Sequence, residues 1–93
     1  MRIHVSGSPA ADLGHLRAYA EYRVFTQLAA FAEHVRSVRV VVRRSADART
    51  TSCVMRAQLA HAVRIGARCR DTQPIRAVDL ATNQLVDAIG QQV

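Results

Sequence analysis

The chain has 93 residues, and all 13 of its basic residues are arginine, set against 7 acidic residues for a formal net charge of +6. That length holds one modest core, so a single domain over residues 1–93 is expected, and 49% hydrophobic with 22% charged residues excludes a disordered charged tail. The longest unbroken apolar run, Leu28 to Ala32, is far short of the roughly 18 residues that cross a bilayer, and the first residues, with Arg2 and His4, hold no apolar signal core, so a soluble cytoplasmic protein is expected.

Met1, Ile3 and Val5 alternate with Arg2, His4 and Ser6, the period of two of a strand, which Gly7, Ser8 and Pro9 end. From Asp12 the period lengthens. Leu13, Leu16, Ala20, Val24, Gln27 or Leu28, Phe31 and Val35 recur at three and four, predicting one long amphipathic helix whose first turn is weakened by Gly14. Alternation returns with Val38, Val40 and Val42 against Arg39, Val41 and Arg43, a second strand rich in β-branched residues. Arg44 to Thr51 is polar and has neither period, so it reads as a flexible connection reaching out from the sheet. Cys53, Met55, Ala57 and Leu59 then alternate with Val54, Arg56 and Gln58, and Val63, Ile65, Ala67 and Cys69 alternate with Arg64, Gly66, Arg68 and Arg70. Only Ala60 to Ala62 separates these two strands, which requires an antiparallel hairpin. Asp71 and Thr72 are competent N-caps, Pro74 suits a first helical turn, and Ile75, Val78, Ala81, Leu85, Val86, Ala88 and Ile89 mark a second helix closed by Gly90.

The order is β-α-β-β-β-α. The first helix is a crossover long enough to leave the first two strands parallel, so an α+β fold follows: a four-stranded sheet with two helices on one face and the other face bare. No internal repeat or low-complexity segment interrupts it.

Charge is distributed unevenly over these elements. Residues 36–70 carry nine arginines against one aspartate, a net of +8, whereas residues 11–35 carry two against three and residues 71–93 one against three. By parity Arg2, Arg39, Arg43, Arg56, Arg64, Arg68 and Arg70 oppose the apolar set of their own strands and share the uncovered face. Arginine on an open sheet also serves solubility and discourages edge pairing. Ordinary solvated faces intersperse both signs, however, and seven arginines with almost no acidic neighbour repel one another unless an anion is present. Nucleic acid fits, because the guanidinium fork holds phosphate in two hydrogen bonds. A membrane surface fits poorly, since no basic amphipathic helix with bulky anchors is present. Tyr19, Tyr22, Phe25 and Phe31 all fall in the first helix, so the basic face has no Phe, Tyr or Trp for stacking on unpaired bases, and folded or double-stranded RNA suits it better than a single strand.

Catalysis finds little support. His4, His15, His34 and His61 are scattered without metal-ligand spacing, no phosphate loop or nucleophile elbow is present, and no metal or cofactor is expected. His61, at the hairpin tip, is a candidate partner contact. If the hairpin pivots on His61, Cys53 faces Cys69 on the inward side, two reduced core cysteines.

Several short motifs, in order across almost the whole chain, resemble those of the bacterial ribosome hibernation promoting factor and ribosome-associated inhibitor A family, also called ribosomal subunit interface proteins. They are Met1-Arg2-Ile3-His4-Val5-Ser6-Gly7, Leu16-Arg17-x-Tyr19, Leu28-x-x-Phe31, Val38-x-Val40-x-Val42, Cys53-x-Met55-x-Ala57-x-Leu59, Val63-x-Ile65-x-Ala67 and Ala77-Val78-Asp79-x-x-x-Asn83-Gln84-Leu85. The resemblance implies a fold like a double-stranded-RNA-binding domain and a non-enzymatic, rRNA-binding protein. Such a protein occupies the small ribosomal subunit near the decoding region, blocks mRNA and tRNA, and regulates translation by keeping ribosomes idle under stress. It further implies RNA contacts by Arg17 and Arg23 on the first helix and Arg76 at the start of the second, while Gln84 stands where the family has lysine and Asp87 where a basic residue is common. The alternative is a same-fold structural or assembly module whose open basic sheet serves self-association as a homodimer or an acidic protein partner.

Overall fold

The structure, a computed structural model, describes residues 1–7 and 13–93. The strand end expected at Ser8 and Pro9, the helix start expected at Asp12 and the Leu13 side chain lie outside the described residues. Strand β1 (Arg2–Gly7) leads to helix α1 (Leu13–Leu28) and a 3₁₀ turn (Ala29–Phe31); β2 (Val35–Arg44), β3 (Thr51–Leu59) and β4 (Arg64–Asp71) follow, and α2 (Pro74–Gly90) ends the fold. The sheet order is β1-β2-β3-β4, with β1 parallel to β2 and the other pairs antiparallel. This is the α+β architecture that the alternating periods predict.

The core lies between one face of the sheet and the two helices. Val5, Val38, Val40, Val42, Cys53, Met55, Ala57 and Leu59 face inward from the strands; Leu16, Ala20, Val24 and Leu28 from α1 and Ala77, Val78, Ala81, Leu85 and Ile89 from α2 close over them. A polar clasp joins the helices at their half-buried margin: the Tyr19 hydroxyl donates to Asp79 Oδ1, and Arg23 Nε donates to the same oxygen at 3.0 Å. The bond to Asp79 pushes the Tyr19 phenol above its ordinary pKa, since a donated proton is harder to remove beside a carboxylate.

Four expectations are corrected. The first helix does not run to Val35: α1 ends at Leu28, and the buried Val35 belongs to β2, opposite Leu59. A β-bulge makes Arg36 an extra residue between the Val35–Leu59 and Ser37–Gln58 pairs, so Val35 and Val38 both face inward although three positions apart, a helix-like spacing inside a strand. Second, Arg44 to Thr51 is no reaching loop. Arg44 pairs with Thr51, Ser45 N–H donates to Thr50 O at 2.8 Å, and Ala48, at φ 59°, closes the turn under two hydrogen bonds from the Arg44 guanidinium to its carbonyl. Within this turn Asp47 accepts from the Ser45 hydroxyl and the Arg49 N–H, which hold its carboxyl below the usual carboxylate range. Third, Val63 and Ile75 are exposed, because β4 begins at Arg64 at the sheet edge and Ile75 starts α2 beyond it. Fourth, Gln73, not Asp71 or Thr72, is the N-cap residue of α2; Asp71 Oδ1 instead accepts the Gln73 N–H at 2.9 Å, in the turn before the helix.

Candidate nucleic-acid interface

The register sorts the outward side chains into rows across the sheet, about 7 Å apart along the strands. One row is Arg2, Ser37, Gln58 and Arg64; the next is His4, Arg39, Arg56 and Gly66. Ser6, Val41, Val54 and Arg68 follow, and Arg43, Ser52 and Arg70 complete the face. All seven sheet arginines expected from parity are exposed and share this face, with no acidic residue among the outward positions. Among the described residues none of the seven has a carboxylate within ion-pair distance. Arg39 and Arg56 are direct cross-strand neighbours, a like-charge arrangement that destabilises a sheet unless something anionic lies above it.

Two shallow depressions share that arginine pair. One is walled by Ser37, Gln58 and Arg64 and runs over Gly66; the other is walled by Arg43, Ser52, Arg68 and Arg70 around Val41 and Val54. A Cβ at Gly66 would meet the nearest atom, Met55 O, at 3.6 Å, an ordinary contact, so glycine here supplies open floor beside Arg56 rather than relief of a clash. Every guanidinium on the face keeps five N–H donors and its charge at any physiological pH. Such a surface can hold several phosphates at once. Its one aromatic ring is the imidazole of His4 at the β1 edge, since Tyr19, Tyr22 and Phe25 lie on α1 and Phe31 on the 3₁₀ turn.

The helix arginines suggested by the family motifs do not join this cluster. Arg23 is tied to Asp79, and Arg76 Nε stands 3.6 Å from Asp71 Oδ2; Arg17 is exposed on α1, in the other layer. Ser37 and Gln58 belong to the face but were not among the residues expected to bind. Strand parity places Gln58 there, and alternation with Arg39 places Ser37 there too once β2 is seen to begin before Val38.

His61 sits at the exposed tip of the β3–β4 hairpin with φ 64°, followed by Ala62 at φ 63°. The pivot at His61 holds, and Cys53 faces Cys69, both as free thiols. Only Cys53 is fully buried; Cys69, on the edge strand, is half-buried. Burial pushes the Cys53 thiol up to about 12 and raises that of Cys69 as well. Among the described residues no cluster of side chains could hold a metal ion, and no helix is long and apolar enough to cross a membrane.

Neither comparison with protein-family models nor comparison with curated protein sequences gives a match. Solved structures do match. A ribosomal subunit interface protein from Coxiella burnetii superimposes with a TM-score of 0.85 over 99% of this chain and 97% of its own, at 15% sequence identity. The N-terminal domain of Protein Y from Thermus thermophilus superimposes with a TM-score of 0.82 over the whole of both chains, again at 15% identity. The chain therefore has the fold of a ribosomal subunit interface protein, the family whose motifs its sequence resembles.

Proposed function

We propose that this cytoplasmic, non-enzymatic protein binds folded or double-stranded RNA through the arginine face of its sheet. By that contact it occupies the small ribosomal subunit near the decoding region and keeps idle ribosomes from engaging mRNA and tRNA. The observation that carries the reading is the set of seven exposed arginines, Arg39 directly opposite Arg56, on a face without a carboxylate. Phosphates above that face would remove the repulsion and replace water with charge-assisted hydrogen bonds. The fold shared with a ribosomal subunit interface protein supports the choice of ribosomal RNA.

Cosedimentation with small subunits across a salt series tests this. Affinity should fall by about 10³-fold or more between 50 and 200 mM salt, as expected when six or more phosphates are neutralised. Combined Arg56→Glu, Arg64→Glu and Arg68→Glu changes should abolish binding, while Arg17→Glu should cost only a few-fold. Absence of cosedimentation at low salt, or a larger loss from Arg17→Glu than from the sheet changes, would overturn the assignment. Capture of an acidic protein with no RNA affinity would overturn it too.

A further inference from the structure

Two features left unused by RNA binding meet at one margin of the molecule. Among the described residues β1 is an edge strand that pairs with β2 alone, so its outer side presents backbone N–H and C=O groups that no described strand takes up. No proline, bulge or run of charge blunts that side within Arg2–Gly7. Beside it, α1 carries a second apolar stripe in addition to the one it buries: Ala18, Tyr22 and Phe25, at helical spacing, are all exposed, with Tyr22 67% and Phe25 61% accessible. Tyr19 and Arg23 turn the other flank of α1 toward α2, so this stripe lies on the side of β1. There Ala18, Tyr22 and Phe25 line an open groove together with Met1, Ile3 and the acidic Glu21.

Exposed aromatic side chains next to an open strand edge are a combination that soluble chains usually cover. Charge decides by what. On the opposite edge, β4 carries Arg64, Arg68 and Arg70 outward, and a second β4 laid antiparallel against it sets arginine against arginine in every register of useful overlap. β1 has no such conflict. For two antiparallel copies of β1 to keep apolar residues on the helix side, position numbers of paired residues must sum to an even value; sums of eight and ten each pair five residues of the strand, and eight also sets Met1 opposite Gly7. That register pairs Ile3 with Val5 on the inner face, and Arg2 with Ser6 and His4 with His4 on the outer face, leaving no two arginines opposed.

We propose that this margin is a self-association surface for a second copy of the chain. The β1 edges pair antiparallel about a twofold axis at His4, perpendicular to the sheet, and the two α1 helices pack their Tyr22 and Phe25 stripes together. The contact is isologous and closes at two copies. An axis perpendicular to the sheet keeps both arginine faces on one side, so the dimer offers a continuous eight-stranded basic face. The pairing stands independently of RNA binding; only the use of the doubled face rests on it, through two linked footholds on one polyanion.

Sedimentation velocity without RNA tests the association. One six-residue strand pair and two aromatic side chains per copy make a small interface, so the mean mass should rise from one chain toward two between about 1 µM and about 1 mM. Tyr22→Glu with Phe25→Glu should weaken association at least tenfold while leaving the circular dichroism spectrum unchanged, since both side chains are exposed. His4→Cys should give a disulfide-linked dimer with diamide as oxidant, whereas the unsubstituted chain and Arg64→Cys should not. A single-chain mass at every concentration, association indifferent to the Tyr22 and Phe25 changes, or cross-linking at position 64 as strong as at position 4 would each overturn the proposal. Loss of RNA binding in a chain that still associates would strike only the functional reading.

Discussion

Cys53 shows how a single burial event sets a pH limit. The thiol is neutral in the folded core, with its pKa pushed up to about 12, while in the unfolded chain it ionises near its ordinary value. Above that ordinary value the unfolded state has lost a proton that the folded state retains, so stability is complete below roughly pH 9 and declines as pH rises toward 12, by at most about 1.4 kcal/mol per pH unit. Urea midpoints measured from pH 8 to 11 should show this decline, and Cys53→Ala, less stable at neutral pH because of the cavity it leaves, should show a flatter one. The position of Cys53 was legible in the sequence because a three-residue connection and strict alternation left one register for the hairpin. The half-exposure of Cys69 was not, since it depends on β4 being an edge, a fact of sheet order rather than of pattern. Nor does the sequence announce the β3–β4 turn: His61 and Ala62 adopt left-handed backbone angles where glycine or asparagine would be the usual signal.

Among the elements, α1 shows the longest apolar rhythm in the sequence and departs furthest from it in the fold. Leu16, Ala20, Val24 and Leu28 bury as their spacing predicts, but Phe31 and Val35 continue the rhythm only by coincidence, one in a 3₁₀ turn and the other in a bulged strand. Periodicity counts positions and cannot register the extra residue that a bulge inserts. What seats α1 against α2 is less visible still, because Tyr19, Arg23 and Asp79 are far apart in sequence. Asp79→Ala removes the shared acceptor and should cost about 1–2 kcal/mol, with the exposed share of the ion pair contributing little of that. Tyr19→Phe in the same background should add much less than it costs alone, because its hydroxyl has already lost its partner; denaturant melts of the two single variants and the double variant check this. The variant also releases Arg23, so any role of the helix layer in RNA binding would show as a gain in affinity.

The molecule as a whole separates its charges by layer. Arginine without counter-charge among the described residues occupies the open side of the sheet, while Glu21, Asp79 and Asp87 lie in the helices. Such segregation strains the free protein, and Arg39 opposite Arg56 is its sharpest point. Replacing Arg56 with Gln should therefore raise the urea midpoint, by about 0.5 kcal/mol in stability, while lowering affinity for small subunits and reducing the salt slope by about one. A rise in stability without loss of affinity would mean that the pair is not part of the interface. The face is also built from arginine alone, in a chain that has no lysine. A guanidinium neither titrates in the physiological range nor accepts the acyl groups that neutralise amines. On the proposed reading, a face of this kind is not switched off by pH or by amine acylation, and its hold on phosphate would be loosened by ionic strength or by a competing polyanion.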